Sequence, residues 1–175
     1  MRHISVPSAI AAALLLSTAA LAQEATAFAA MKNLDDTQAG TVTFTQTKSG
    51  QLRVMLEMTG MKPGPHAFHV HETGVCDEAG KFESAGPHYA GGKEHGTDHD
   101  KRPHAGDFPN VNVGQDGVMK AEFFTDRLSL SGGSNPLLDA DGSAVMVHAG
   151  PDDHTSQPGG DAGDRIACGI VQQPS

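Results

Sequence analysis

Seven of the ten histidines in this 175-residue chain fall between His66 and His104. The stretch "PHAFHVHET" holds His69 and His71 with only Val70 between them. On a strand, residues two apart project from the same face, so two imidazole nitrogens would form one edge of a copper or zinc site. His148, at the end of the apolar run "SAVMVH", supplies a candidate third ligand from a distant segment. A second group follows in the loop: His88, His95, His104 and Asp107, with His99 to spare. Three imidazoles and one carboxylate suit a closed, tetrahedral zinc site. Histidine-rich tracts also trap metals loosely without turnover. On spacing alone, redox catalysis and metal storage or delivery both remain open.

These side chains need a scaffold, and the sequence around them alternates. "TVTFTQT" sets Val42 and Phe44 against threonines, and "QLRVMLEM" sets Leu52, Val54, Leu56 and Met58 on one side. "GVMKAEFFTD" and "SAVMVHAG" add further short apolar segments, and Gly, Pro and Asp clusters punctuate the intervals. Period two with β-branched residues predicts half-buried strands. Seven or eight of them predict an all-β fold, a Greek-key β-sandwich or flattened eight-stranded barrel. Two polar stretches, from Gly74 to Asn110 and from Gly150 to Asp164, lack strand rhythm. Loops of that length need something to organise them, which a metal and a disulfide would provide.

The N-terminus reads as a secretory signal peptide over residues 1–22. Arg2 and His3 precede the apolar "AIAAALLL", and Ala20-Leu21-Ala22 offers a cleavage site before Gln23. Residues 23–175 then form one domain of an exported protein, with no later span apolar enough to cross a membrane. The formal net charge is −9, and Arg2 leaves with the signal. Such an acidic chain disfavours nucleic acid and anionic membranes as partners. The only two cysteines, Cys76 and Cys168, are expected to pair in an oxidising compartment.

Five blocks, "HAFHVHETGVC", "SAGPHY", "HAGDFPNV", "VMVHAGPDD" and "GDRIACGIV", occur in the order found in copper–zinc superoxide dismutases. The chain resembles that family from about Ala25 to Val171, and its bacterial, exported type in particular. The resemblance implies one copper per chain on His69, His71, His88 and His148. It implies one zinc on His88, His95, His104 and Asp107, with His88 bridging the two. It makes Asp152 the carboxylate joining His69 to His95, His66 a structural support behind the copper, and Cys76–Cys168 the intrachain disulfide. Arg165 would attract and orient superoxide, and His88 would hold and release a proton during turnover. The implied activity is disproportionation of superoxide to dioxygen and hydrogen peroxide. The rival is a dismutase-like protein that binds or delivers copper without catalysis. The implied location is periplasmic or secreted, and both a monomer and a homodimer remain open.

The chain departs from the eukaryotic members in three places. The step from His88 to His95 is one residue shorter, and His95 is preferred over His99 because it keeps the nine-residue step to His104. Gly159 replaces a threonine beside the channel. The loop "TSQPGGDAGD" has no lysine, which leaves Lys93, Lys101 and Arg102 as the basic residues that could steer substrate instead. His99 and His154 match no ligand and are expected to be solvated.

Overall fold

The computed structural model describes residues 25–98 and 103–174. The signal peptide assigned to residues 1–22 lies outside the described residues, as do His99, Lys101 and Arg102.

Nine strands are present among the described residues: β1 (Thr26–Asn33), β2 (Gln38–Gln46), β3 (Leu52–Met58), β4 (Gly64–His66), β5 (Phe68–His71), β6 (Val111–Val113), β7 (Met119–Thr125), β8 (Ala144–His148) and β9 (Arg165–Gln172). Seven of them make one antiparallel sheet in the order β5-β8-β9-β1-β2-β3-β7, while β4 pairs with β6. Only Ala67 separates β4 from β5, and β6 packs beside β7. The small pair therefore spans the gap between the two edges of the curled sheet. Taken as one bent strand, β4 and β5 bring the number to the eight expected from sequence.

The alternation seen in the sequence becomes the core. On β2, Val42 and Phe44 are fully buried and Thr43 between them is exposed. On β3, Leu52, Val54, Leu56 and Met58 point inward in register with β2. Removing this apolar area from water is the main term holding the sheets together, at roughly 25 cal/mol per Å². Phe68, Phe108 and Phe123 close the core beneath the loops, with ring centroids 5.3–5.9 Å apart.

The stretch from Gly74 to Asn110 is better organised than its polar composition suggested. Phe82 is fully buried in a small second cluster with Ala85, Ala144, Met146 and Cys168. A 3-10 turn over Glu83–Ala85 follows it. The Cys76–Cys168 disulfide ties this segment to β9 across 92 residues of sequence.

Closing a loop of 92 residues removes about 4–5 kcal/mol of unfolded-state entropy in the chain-entropy account. The double variant Cys76→Ser/Cys168→Ser, urea-unfolded without metal, should lose most of that. A loss below about 1 kcal/mol would show that Phe82 and its neighbours hold the loop without the cross-link.

Candidate metal centre

Strand β5 is where the sheet meets both long loops. Its residues "FHVH" are all buried, with Phe68 and Val70 in the apolar core and His69 and His71 on the opposite face. Two single bridges stitch the first loop to this strand, His71 to His88 and His69 to Asp107. His148 arrives on the neighbouring β8, where the register slips between Val147 and His148 so that His148 faces Arg165. Such irregularities re-aim a side chain at a strand end.

The imidazoles form two groups with potential donor atoms within 4.8 Å of one another. One is His69, His71, His88 and His148; the other is His88, His95, His104 and Asp107. All seven residues are buried, and His88 belongs to both groups. A neutral imidazole has one N–H and one lone pair, so whichever nitrogen donates leaves the other as a ligand. His71 donates from Nδ1 to the Gly86 carbonyl (2.8 Å), and His148 from Nδ1 to the Gly163 carbonyl (3.1 Å). His69 donates from Nε2 to Asp152 Oδ2 (2.8 Å), and His95 from Nε2 to Asp152 Oδ1 (2.9 Å). The nitrogens left over are His69 Nδ1, His71 Nε2, His148 Nε2 and His95 Nδ1. They are buried without a hydrogen-bond partner, as is His104 Nδ1. Lone pairs converging in this way fit two first-row metal ions, each imidazole being oriented by an acceptor behind it.

Asp152 is the hinge between the two groups. Its main chain is held in turn by Asn110, which donates to the Asp152 carbonyl and accepts from the Asp152 N–H, both at 2.8 Å. Gly160 lies so close that a Cβ there would sit 1.9 Å from Asp152 Oδ1, at a positive φ of 69°. Asp107 is comparably fixed. Its Oδ2 accepts from the Gly96 and His104 N–H groups at 3.1 and 3.2 Å, and Oδ1 accepts from His88 Nδ1 at 3.0 Å.

Burial, with His88 next in weight, holds His71 well below the ordinary imidazole range. Burial likewise pushes His88 to about 4 and His148 to about 3. All three rings are therefore neutral at pH 7 and ready to ligate. Burial also opposes charge on His95, but the Asp107 and Asp152 carboxylates outweigh it and lift that ring to about 9. A metal at His95 Nδ1 takes the place of a proton there. Burial works against both carboxylates, yet the imidazole hydrogen bonds hold Asp107 and Asp152 well below the usual carboxylate range.

The first group meets a cleft through His88 and His148. A cleft of about 770 Å³ is lined by His88, His148 and Arg165, with Gly159 and Gln157 on the loop side. Arg165 donates from Nη1 to the Phe82 carbonyl and from Nη2 to the Gly86 carbonyl, both at 2.8 Å. The Gly86 carbonyl thus serves both Arg165 and His71. A Cβ at Gly159 would lie 3.2 Å from His88 Nε2, so glycine leaves that face open. Arg165 is the sole cation among the residues lining the cleft, which also include Glu83 and Asp161.

The structure thus assembles the histidines and aspartates singled out from sequence, with His95 in the second group, while His99 lies outside the described residues. His66 is buried beneath the site, with Nδ1 2.8 Å from the His148 carbonyl and Nε2 2.7 Å from the Lys62 carbonyl. His154 is not the solvated residue expected. Its N–H donates to Asp152 Oδ1 at 2.6 Å, and Asn110 Nδ2 donates to its ring at 3.2 Å. Its place right after the Asp152-Asp153 turn draws it into that network. Lys93 lines a separate hollow rather than the cleft. Asn110 escaped notice because it acts on a backbone 42 residues away, and nothing in its spacing announces it.

Residues 38–171 match the family described as copper/zinc superoxide dismutase (SODC). The chain is 44% identical over 150 residues to a superoxide dismutase [Cu-Zn] of Caulobacter vibrioides, covering 83% of this chain and 85% of that protein. It is 37% identical to superoxide dismutase [Cu-Zn] 2 of Aquifex aeolicus, covering 93% and 96% of the two chains. The crystal structure of a SOD-like protein from Bacillus subtilis superposes with a TM-score of 0.78 at 33% identity, covering 83% of this chain and 97% of that one.

Without metals, this centre should give the protein a peaked stability profile. His88 and His148 take up protons near 6.5 when unfolded but only near 4 and 3 when folded, so stability falls as pH drops below 6.5. Asp107 and Asp152 are depressed when folded, so their contribution, present above 3.8, is lost in turn as pH falls further. His95 works in the other direction. Its contribution is full below 6.5 and disappears as pH rises through about 9. Urea midpoints of the metal-free protein should be highest near neutrality and decline on both sides. A midpoint that rises on acidification would contradict this account.

Proposed function

From the premise that the chain belongs to the copper/zinc superoxide dismutase family, we infer that it converts two superoxide anions and two protons to dioxygen and hydrogen peroxide. The observation that carries the reading is that two buried ligand groups share the single ring of His88, which together with His148 lines a cleft. Copper would be held by His69, His71, His148 and His88. Zinc would be held by His88, His95, His104 and Asp107. When bound, copper supplies a one-electron redox couple and zinc a fixed positive charge without redox chemistry.

The chain's own residues do the rest. Arg165, held by two carbonyls at the cleft, keeps its charge at any working pH and presents a fixed fork to a small anion. His88 Nε2 lies at the cleft, where Gly159 leaves room, and in a state in which it does not hold copper it would carry a proton and give it to the reduced product. Asp152 keeps His69 and His95 from turning, so the lone pairs stay aimed while His88 changes protonation. Glu83, whose carboxylate is 3.6 Å from Arg165, and Asp161 offset part of the attraction, so steering is short-ranged.

Export to an oxidising compartment, the periplasm or the outside, is part of the same proposal. Its supports are the signal-like sequence over residues 1–22 and the use of both cysteines in a disulfide. Among the described residues no helix is long and apolar enough to cross a membrane.

Metal analysis of the purified protein with a superoxide-consumption assay tests the reading. One copper and one zinc per chain with fast turnover supports the enzyme; the same metals with no turnover would leave a metal-binding or copper-delivery protein. Arg165→Ala should cut kcat/KM by about tenfold or more with both metals retained, a loss in the range that local electrostatic guidance supplies. The residual rate should rise with added salt, because Glu83 and Asp161 are then unopposed. An unchanged rate and salt response would remove Arg165 from the mechanism.

A further inference from the structure

Arg127 lies two residues past the end of β7 and lines a hollow of about 170 Å³ with Lys93, Pro103, Ala105 and Asn135, apart from the cleft. Its backbone is fixed from both sides. Its N–H donates to Thr125 Oγ1 (3.1 Å), and its carbonyl accepts from Asn135 Nδ2 (2.8 Å). From this anchor Nη2 reaches the main-chain carbonyl of Asp107 at 2.5 Å. Among the described residues no carboxylate lies within ion-pair distance of the guanidinium. A half-buried cation is therefore held on a neutral carbonyl, although removing such a charge from water is costly.

The surroundings of Asp107 explain why a cation is tolerated there. Burial lowers the tendency of Arg127 to hold its proton, and the Asp107 carboxylate, with Asp126, opposes that effect. Asp107 also connects the two metal groups. Its backbone bridges His69 on β5, and its carboxylate belongs to the closed group with His88, His95 and His104. A rotation of its carbonyl would swing that carboxylate out of line. The Arg127 hydrogen bond to that carbonyl opposes the rotation.

We propose that Arg127 is a positioning residue of the metal centre, which by pinning the Asp107 carbonyl sets the carboxylate for a divalent ion of the zinc type. This rests on the assignment of His88, His95, His104 and Asp107 as that ion's ligands. Arg127 itself touches neither metal nor substrate.

The test uses the mature chain stripped of metal, with zinc affinity measured by competition against a chromophoric chelator. The visible spectrum of cobalt(II) in the same site and the metal-free urea midpoint are recorded beside it. Arg127→Met should weaken zinc about 10- to 100-fold, the usual effect of removing an outer support of a ligand. It should also shift the cobalt bands, and change copper affinity at the other group by less than about threefold. Arg127→Lys keeps the charge without the planar fork and should recover part of the loss. Zinc affinity and cobalt bands unchanged in Arg127→Met would overturn the proposal. So would equal losses for zinc and copper that follow a fall in the metal-free midpoint, since that is general destabilisation. If Arg127→Met does not fold, Arg127→Gln and Arg127→Lys carry the same comparison, and both behaving as wild type would overturn it. A wild-type chain that takes up no zinc would instead refute the ligand assignment, and the proposal with it.

Discussion

Among the described residues, three buried imidazole nitrogens without partners, on His69, His71 and His148, and two more, on His95 and His104, that face only Asp107 are the constraint around which this molecule is arranged. A buried polar atom left unpaired costs about 1–3 kcal/mol, and a domain's whole stability is about 5–15 kcal/mol. A fold that keeps such atoms gathered in two groups is built to have something bind them. The opposite nitrogen of four of these rings is already committed to Asp152, Gly86 or Gly163, so the protein has fixed the ring orientation before any ion arrives. Asp152 matters most because one carboxylate serves a ring in each group. His88 matters for the complementary reason, being the one ring that both groups share.

Holding that arrangement requires elements distant in sequence to meet at one place, and the fold supplies a device for each. The strand periodicity of β5 presents His69 and His71 together. The slip at the end of β8 brings His148 opposite Arg165. The disulfide and the buried Phe82 fasten the first loop, whose Gly86 carbonyl then orients both His71 and Arg165. Asn110 and Arg127 fix the backbones of Asp152 and Asp107. The close approach of Gly160 to Asp152 and the open face at Gly159 let the second loop cover one group while the other stays accessible.

Much of this was legible in the sequence, for identifiable reasons. Alternation along β2 and β3 records which face is buried, so Val42, Phe44, Leu52 and Leu56 could be read directly. His69 and His71 sit two apart, and strand geometry alone puts them on one face. The membership of His88, His95, His104 and Asp107 in a second group depended on resemblance to a family, because loop residues obey no period. Asn110 and Arg127 were not legible at all. Each works through a main-chain atom, and a carbonyl has no residue type to recognise. His154 was misjudged because its solvation depends on Asn110 and Asp152 rather than on its own neighbours in sequence.

The central claim is that two different ions share His88, with the remaining rings preset by their hydrogen bonds. A crystal structure of the oxidised, metal-loaded protein, with anomalous data collected at the copper and zinc edges, tests it most directly. The account predicts a copper peak among His69 Nδ1, His71 Nε2, His148 Nε2 and His88 Nε2, and a zinc peak among His88 Nδ1, His95, His104 and Asp107. A single peak, or two ions with His88 bound to only one of them, would contradict it.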